Sequence, residues 1–296
     1  MTNTLKTLNE YSEKIYSQFG EDGLIKEILN RIEFKNLDKW CVEFGARDGI
    51  SDSNAHNLIK NHDYKAVLIE GDKKYFKKLC KNFISDKIIK LNKFIDFYGD
   101  NSLDNVLKKT QIPKNFDFLS IDIDGCDYFI FKSMELYRPK IVCIEFNHLI
   151  PNEVEFIQEK NFNIKQGTSA LSLINLAKKK DYLLVGSTLS NLFFVDRAYK
   201  KYVLGNSEIH LDNIRSDKKI KNIIFPGYDG SLHTTLPVEI SWHKLKISSK
   251  KFQILPFFLR KFPDDYNSIQ KILFLIYREF LYPGRFIKKI RNFFNK

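Results

Sequence analysis

Several signatures that would settle a protein's class at a glance are missing from this 296-residue chain. Its four cysteines, Cys41, Cys80, Cys126 and Cys143, are widely spaced and form no Cys-x-x-Cys pair, which excludes a disulfide framework and a zinc site. Three of them sit in or beside apolar runs, the setting of free thiols buried in a reducing compartment. The opening stretch MTNTLKTLNEYSEK has no apolar segment of the signal-peptide kind. No run reaches the ~18 uninterrupted apolar residues of a membrane span, so the expectation is a cytoplasmic protein. There is no internal repeat, no low-complexity linker and no Gly-x-Gly-x-x-Gly. Acidic residues are the minority sign, 36 against 48 lysines and arginines, for a net charge of +12. Residues 250–296 hold +8 of that total, so the basicity is mostly a C-terminal property and says little about a nucleic-acid partner.

What is present is a core-forming composition, 43% hydrophobic and 28% charged, which excludes wholesale disorder. Leu24, Ile25, Ile28, Leu29 and Ile32 fall at helical spacing within 21–33. Short apolar runs then alternate with amphipathic segments. The runs at 40–44, 66–69, 87–91, 116–123 and 141–146 read as strands, and 51–62, 73–84, 101–109 and 127–137 as helices. That rhythm predicts a mostly parallel sheet covered on both faces. A helix at 169–180, followed by apolar runs at 182–187 and 192–195 across a short polar link, predicts a closing antiparallel hairpin. These features assign residues 1–200 to one α/β domain and 201–296 to a C-terminal extension. The extension is polar and turn-rich to about 250, then amphipathic and basic from 269 to 294, broken at Tyr282-Pro283-Gly284.

Three segments carry candidate chemistry. In WCVEFGARDGISDSN (40–54) a buried strand ends at Glu43, after which Gly45 and Gly49 flank a tight turn into a helix. Glycines there let backbone approach a ligand closely. An acidic residue before the turn repels a pyrophosphate but suits a cationic ligand. Glu70, in AVLIEGDKKYFKKL (66–79), ends the next strand about 20 residues later, where a carboxylate can accept both ribose hydroxyls. In the third segment Asp122, Asp124 and Asp127 lie at and beyond one strand end, and Glu145, Asn147 and His148 at the next. Adjacent parallel strand ends converge, so these oxygens and one imidazole meet. Four carboxylates so close need a cation, a substrate amine or protonation to offset them. Of the candidate bases Asp124 and His148, His148 is the better on pKa grounds because an imidazole is near neutral without tuning. His56, His62 and His210 read as surface residues.

These segments, with YSQFGEDG at 16–23, FLSIDIDGCDYFIF at 118–131 and VCIEFN at 142–147, resemble the FkbM-like group of S-adenosylmethionine-dependent methyltransferases over about residues 11–200. The resemblance implies the seven-stranded class I methyltransferase (Rossmann-like) sheet, with the cofactor across the carboxyl ends of the first strands. By position, Glu43, Gly45 and Gly49 would line the methionine half, Gln18 would face its carboxylate, Glu70 would hold the ribose, and the adenine would lie near Asn92. Asp122 would contact the cofactor ammonium, and Asp124 or His148 would act as base. The Asp-rich cluster is similar to that of metal-dependent macrocin-type sugar O-methyltransferases, which implies Mg²⁺ on Asp122, Asp124 and Glu145. Here Glu145-Phe146-Asn147 stands where those enzymes show two consecutive aspartates.

The implied reaction is O-methylation of a sugar or nucleotide-linked sugar in surface polysaccharide (capsule) biosynthesis. A small phosphorylated or phosphoramidate acceptor and a noncatalytic binding protein are the alternatives. The glycine spacing and Glu43 argue against an NAD-linked oxidoreductase. No Asn-Pro-Pro-Tyr signature supports nucleic-acid methylation. In the extension, Tyr228-Asp229-Gly230 reads as a turn, and Trp242-His243 has the aromatic and polar character of a carbohydrate contact. The basic amphipathic end, with Arg285, Lys288, Lys289, Arg291 and Lys296, suits peripheral contact with the inner face of a membrane, docking on its own domain, or a homo-oligomer contact.

Overall fold

The computed structural model describes residues 7–32 and 37–282. Two compact units divide the chain, one ending at Ile220 and the other beginning at Lys221. The first therefore runs twenty residues past the expected division at 200, because two short helices, α7 (Lys200–Leu204) and α8 (Leu211–Ile214), pack on it.

The first unit opens with α1 (Glu21–Ile32) and then alternates β1 (Trp40–Phe44), α2 (His56–Asn61), β2 (Lys65–Ile69), α3 (Lys73–Asn82), β3 (Ile88–Leu91), α4 (Leu103–Leu107), β4 (Phe118–Ile121), α5 (Asp127–Ser133), β5 (Ile141–Glu145) and α6 (Ala170–Lys179). The hairpin β6 (Tyr182–Ser187) and β7 (Asn191–Asp196) follows. One seven-stranded sheet results, in the order β3-β2-β1-β4-β5-β7-β6. The pairs among the first five strands are parallel and both pairs of β7 are antiparallel. Strand order reverses at β1, and the crevice between β1 and β4 is the topological switch point where open α/β sheets bind ligands.

Strand periodicity of two explains the burial. Val42, Phe44, Val67, Ile69, Leu119, Ile121, Val142 and Ile144 enter one core with α4, α5 and α6. Cys41, Ala66, Leu68, Phe118 and Cys143 enter the other with α1, α2, α3 and α7. With both faces covered, β1, β2, β4 and β5 read as continuous apolar runs. The expected helices at 73–84 and 127–137 start where expected and end early, at Asn82 and Ser133, whereas those at 101–109 and 169–180 start late, at Leu103 and Ala170, because serines there serve as caps. Asp72 accepts from the Lys74 and Tyr75 amides at α3, Ser102 from Asn105 at α4, and Ser169 from Ser172 at α6. The expected helix at 51–62 begins only at His56, since 45–55 is spent on the turn after β1.

At the amino-terminal end of the sheet, Lys140 is 2% exposed and its Nζ lies 2.7 Å from both Asp117 and Asp38. Asp117, fully buried, also accepts from the Asp38 and Lys39 amides. This network ties β1, β4 and β5 together at the end away from the candidate site.

The second unit contains two small hairpins, β8 (Ile224–Pro226) with β9 (Leu232–Thr234) and β10 (Val238–Ile240) with β11 (Leu245–Ile247), and then α9 (Ser268–Leu281). The turn at Tyr228-Asp229-Gly230 is closed by the Gly230 amide donating to the Gly227 carbonyl. The helix expected from 269 ends before Tyr282, and the basic residues from Arg285 onward lie outside the described residues.

Candidate functional site

The same alternation that builds the cores places Glu43, Glu70, Asp122 and Glu145 on one face, toward α1 and α2, at the carboxyl ends of four neighbouring strands. The pairing Phe44↔Ile121 continues to Gly45 beside Asp122, and Ile121↔Ile144 continues to Asp122 beside Glu145. Asn191 of β7 is the next partner of Glu145. A polar row thus crosses the edge of the sheet from Glu70 to Asn191.

Gly45 is the tightest point of the row. Its φ is +73°, and a Cβ there would lie 1.8 Å from the Asp122 carbonyl oxygen. Gly49, at φ +75°, is pressed against the side chains of Phe83 and Leu79, so a Cβ would meet them at 2.5 and 2.6 Å. Only glycine satisfies both the left-handed backbone and the close approach. Glu43 is 5% exposed and holds the loop that follows: its carboxylate accepts from the Ser53 hydroxyl at 2.5 Å and the Asn54 amide at 2.7 Å. Burial raises its pKa to about 7 despite those two donors. Asn54 then donates to Ser120 Oγ, linking the loop to β4. Glu70 accepts from the Arg47 and Asp72 amides at 2.7 and 2.6 Å, one on each oxygen, which leaves a lone pair on each for a further donor. Asn92 donates its side-chain amide to the Glu70 and Gly71 carbonyls and so fixes the backbone after β2. Above Gly71 lies the ring of Phe94, which is 76% exposed.

Asp122, Asp124 and Glu145 bring one oxygen each within 4.8 Å of one another. Burial first, then the Asp124 charge, raises Asp122 to about 6, while its hydrogen bond with Glu145 works in the opposite direction. Glu145 is pushed to about 10 by burial and by Asp122, Asp127 and Asp124. The physical picture is one proton held between Asp122 and Glu145, mainly on Glu145. Asp124 is exposed, has φ +56°, and lies 3.9 Å from Lys165 Nζ. Asp127 is buried and caps its own loop by accepting from the Ile123 and Gly125 amides.

His148 is half-buried on the loop after β5, where burial and then the Arg215 charge lower its pKa, so the imidazole is neutral at pH 7. Arg215 donates to the His148 carbonyl oxygen. Gln18 is exposed, one residue from Ser17, which bridges to Asp52 in the loop after Gly49.

Several contributors escape sequence reasoning. Glu21 is fully buried and accepts from Thr188 and Asn191, joining α1 to the hairpin at the end of the row. Asp22, in the same flagged segment, gathers the Ile15, Tyr16 and Ser17 amides on Oδ2, while its buried Oδ1 has no hydrogen-bond partner among the described residues. Consecutive carboxylates at a helix start were the available signal. His56 corrects the expectation of a surface histidine: it is 8% exposed, wedged edge-on between the rings of Tyr16 and Phe83. An aromatic rim also forms where the loops after β3, β4 and β5 meet. Phe97 stacks on Phe162 at 4.5 Å and meets Phe129 edge-on, and Lys160 Nζ lies 4.6 Å from the Phe97 centroid and 5.1 Å from that of Tyr98. A cavity of ≈ 320 Å³ is lined by residues including Lys26, Lys39, Leu58 and His62 near the opposite ends of β1 and β2, and none of the row's carboxylates lines it.

No curated protein sequence matches the chain. Among solved structures it is similar to one assigned as a sarcosine dimethylglycine methyltransferase from Galdieria sulphuraria, with 12% identity, TM-score 0.37, and coverage of 55% of this chain and 62% of that one. It is likewise similar to M. capricolum TrmK in complex with S-adenosyl-homocysteine, with 14% identity, TM-score 0.35, and 58% and 65% coverage. The chain thus spans less than two thirds of the length of either. Residues 99–182, which contain Asp122, Asp124, Glu145 and His148, match the family model of the methyltransferase FkbM domain. The chain is thus similar to the methyltransferase FkbM domain over that segment, which lies within an α/β sheet of strand order 3-2-1-4-5-7-6.

Proposed function

We propose that the protein transfers the methyl group of S-adenosylmethionine to a hydroxyl of a sugar or nucleotide-linked sugar in surface-polysaccharide assembly. The observation that carries this reading is the row of carboxylates at the switch point, which matches in sign a cofactor bearing a sulfonium and an ammonium. The donor set fits the cofactor. Glu70 keeps two lone pairs for ribose hydroxyls, the Phe94 ring offers an apolar face for the adenine beside it, and Asp122 supplies negative charge for the ammonium. Three carboxyl oxygens within 4.8 Å also fit a divalent cation such as Mg²⁺, which would be held by Asp122, Asp124 and Glu145. Such an ion would polarise the acceptor hydroxyl and displace the proton on Glu145.

S-adenosylmethionine supplies an electrophilic methyl. The chain's residues position the acceptor in line with it and take the hydroxyl proton. Asp124 is exposed to an incoming acceptor, and His148, being neutral, is in the protonation state a base requires. Glu145 is not, since it already carries its proton. The aromatic rim suits the C–H face of a sugar ring, and exposed Lys160 and Lys165 beside it favour an acceptor bearing phosphate.

Titration calorimetry with S-adenosylmethionine, S-adenosylhomocysteine and NAD tests the cofactor assignment. Binding of the two sulfur compounds, weakened at least tenfold in Glu70→Ala, is expected; binding of NAD alone would overturn it. Turnover of nucleotide-linked sugars, lost with a chelator and restored by Mg²⁺, is the outcome that supports the metal.

A further inference from the structure

The second unit carries an apolar face that its own fold leaves bare. Helix α9 is closed at its start by Asn267 and Gln270, each side chain accepting from the other's amide. One side of the helix is tied to its unit: Gln270 donates to the Phe258 carbonyl, Phe274 meets the Tyr266 ring at 5.6 Å, and Tyr277 donates to the Ile254 carbonyl. The other side presents Ile269, Ile272, Leu273, Ile276 and Phe280, a stripe at helical spacing whose members are 39–80% exposed. Phe257, 85% exposed, precedes the helix in the same unit. An apolar surface of this kind has an occupant.

Charge selects among the occupants. Residues 250–296 contain eleven lysines and arginines against Asp264, Asp265 and Glu279. A second copy would bring the same excess of positive charge against itself. An anionic bilayer answers both features at once: its acyl boundary takes the apolar stripe of a helix lying in the interface plane, and its headgroups take the cations. We propose that the Ile269–Phe280 face of α9 docks the protein peripherally on an anionic lipid surface. Spanning is not involved, since no helix among the described residues is long and apolar enough to cross a membrane.

The test uses the full chain and cosedimentation with vesicles of equal phosphatidylglycerol and phosphatidylcholine, against pure phosphatidylcholine. At least tenfold stronger binding to the anionic vesicles is expected, falling in 0.5 M salt (about 4 Å Debye length) because exposed charges are then screened. Ile272→Glu/Ile276→Glu, placed on the exposed stripe, loses that binding while keeping the parent's melting temperature and its affinity for S-adenosylhomocysteine. Equal binding to both vesicle types, or undiminished binding by the variant, overturns the proposal. So does concentration-dependent dimerisation of the parent that the same variant abolishes, since the face would then join two copies. Because the cofactor affinity is read separately, failure here leaves the methyltransferase reading standing, and failure of that reading leaves this one standing.

Discussion

Replacing Gly45 by alanine isolates the contact on which the candidate site depends. Two costs act there. The left-handed backbone at φ +73° costs a residue with a Cβ roughly 1–2 kcal/mol. The new methyl would also lie 1.8 Å from the carbonyl oxygen of Asp122, so the β1 turn or the end of β4 has to move. Overpacking of that kind adds about 1–3 kcal/mol, for a total of roughly 2–5 kcal/mol. Gly99 is the control: its φ is nearly the same, +71°, but a Cβ there meets nothing within 4 Å. Gly99→Ala is therefore expected to lose only the backbone share, roughly 1–2 kcal/mol. Urea unfolding of both variants measures the difference, and calorimetry with S-adenosylhomocysteine reads the consequence, a loss of affinity in Gly45→Ala alone. If Gly45→Ala is no less stable than Gly99→Ala and binds the ligand normally, the close approach of β1 to β4 is not what organises the site.

Other outcomes follow from the buried charges. Glu145, Asp122, Asp127 and Glu43 all have pKa values raised above those of the unfolded chain, to between about 6 and about 10, so the folded state binds more protons. These groups should therefore make the metal-free protein lose stability as pH rises from about 4.5 to 8, by at least about 1 kcal/mol, read in unfolding midpoints across that range; a slope of the opposite sign refutes the assignment. Glu145→Gln, which preserves the donor to Asp122, should flatten that slope while destabilising the protein little at pH 7. Lys140→Ala strands the buried Asp117 carboxylate and should cost about 3–5 kcal/mol, whereas Lys140→Met/Asp117→Asn should cost clearly less. If the single and double variants unfold at the same denaturant concentration, the ion pair is not what the lysine contributes.

The sheet was legible because its central strands β1, β2, β4 and β5 are buried on both faces and the helices on one, so the apolar pattern changes period between them. Trp40–Phe44 and Ile141–Glu145 fall almost where the runs predict them. Some element ends were less legible: Ser102 and Ser169 cap by folding back on the amides that follow, so α4 and α6 start inside their expected ranges, which is decided by backbone geometry. Glu43 and Glu70 were visible as strand-end acids, yet each accepts from two donors in its own loop, and nothing in the one-dimensional pattern separates a carboxylate that organises a turn from one that waits for a ligand. Glu21 and Asn191 lie 170 residues apart and meet only because β7 turns back beside β5. His56 was misread for a related reason. Its polar neighbours in sequence suggest the surface, but Tyr16, forty residues away, closes over it.

The excess of positive charge and the cluster of negative charge belong to different units, and that division decides what each can do. A carboxylate row in which burial keeps protons on Glu145 and Asp127 at neutral pH is electrostatically incomplete. A cation that enters it displaces protons and gains the interactions that burial strengthens. A row of neutral side chains at the same strand ends would bind a sulfonium or a divalent ion without that gain and without any dependence on pH. The site's affinity for cationic ligands should therefore rise as pH increases from 6 to 8, over the same range in which the metal-free fold weakens. Both trends come from one cause, the protons held among Asp122, Asp127 and Glu145, so Glu145→Gln should reduce the two together. A variant that flattened one trend and left the other intact would show that binding and stability draw on different carboxylates.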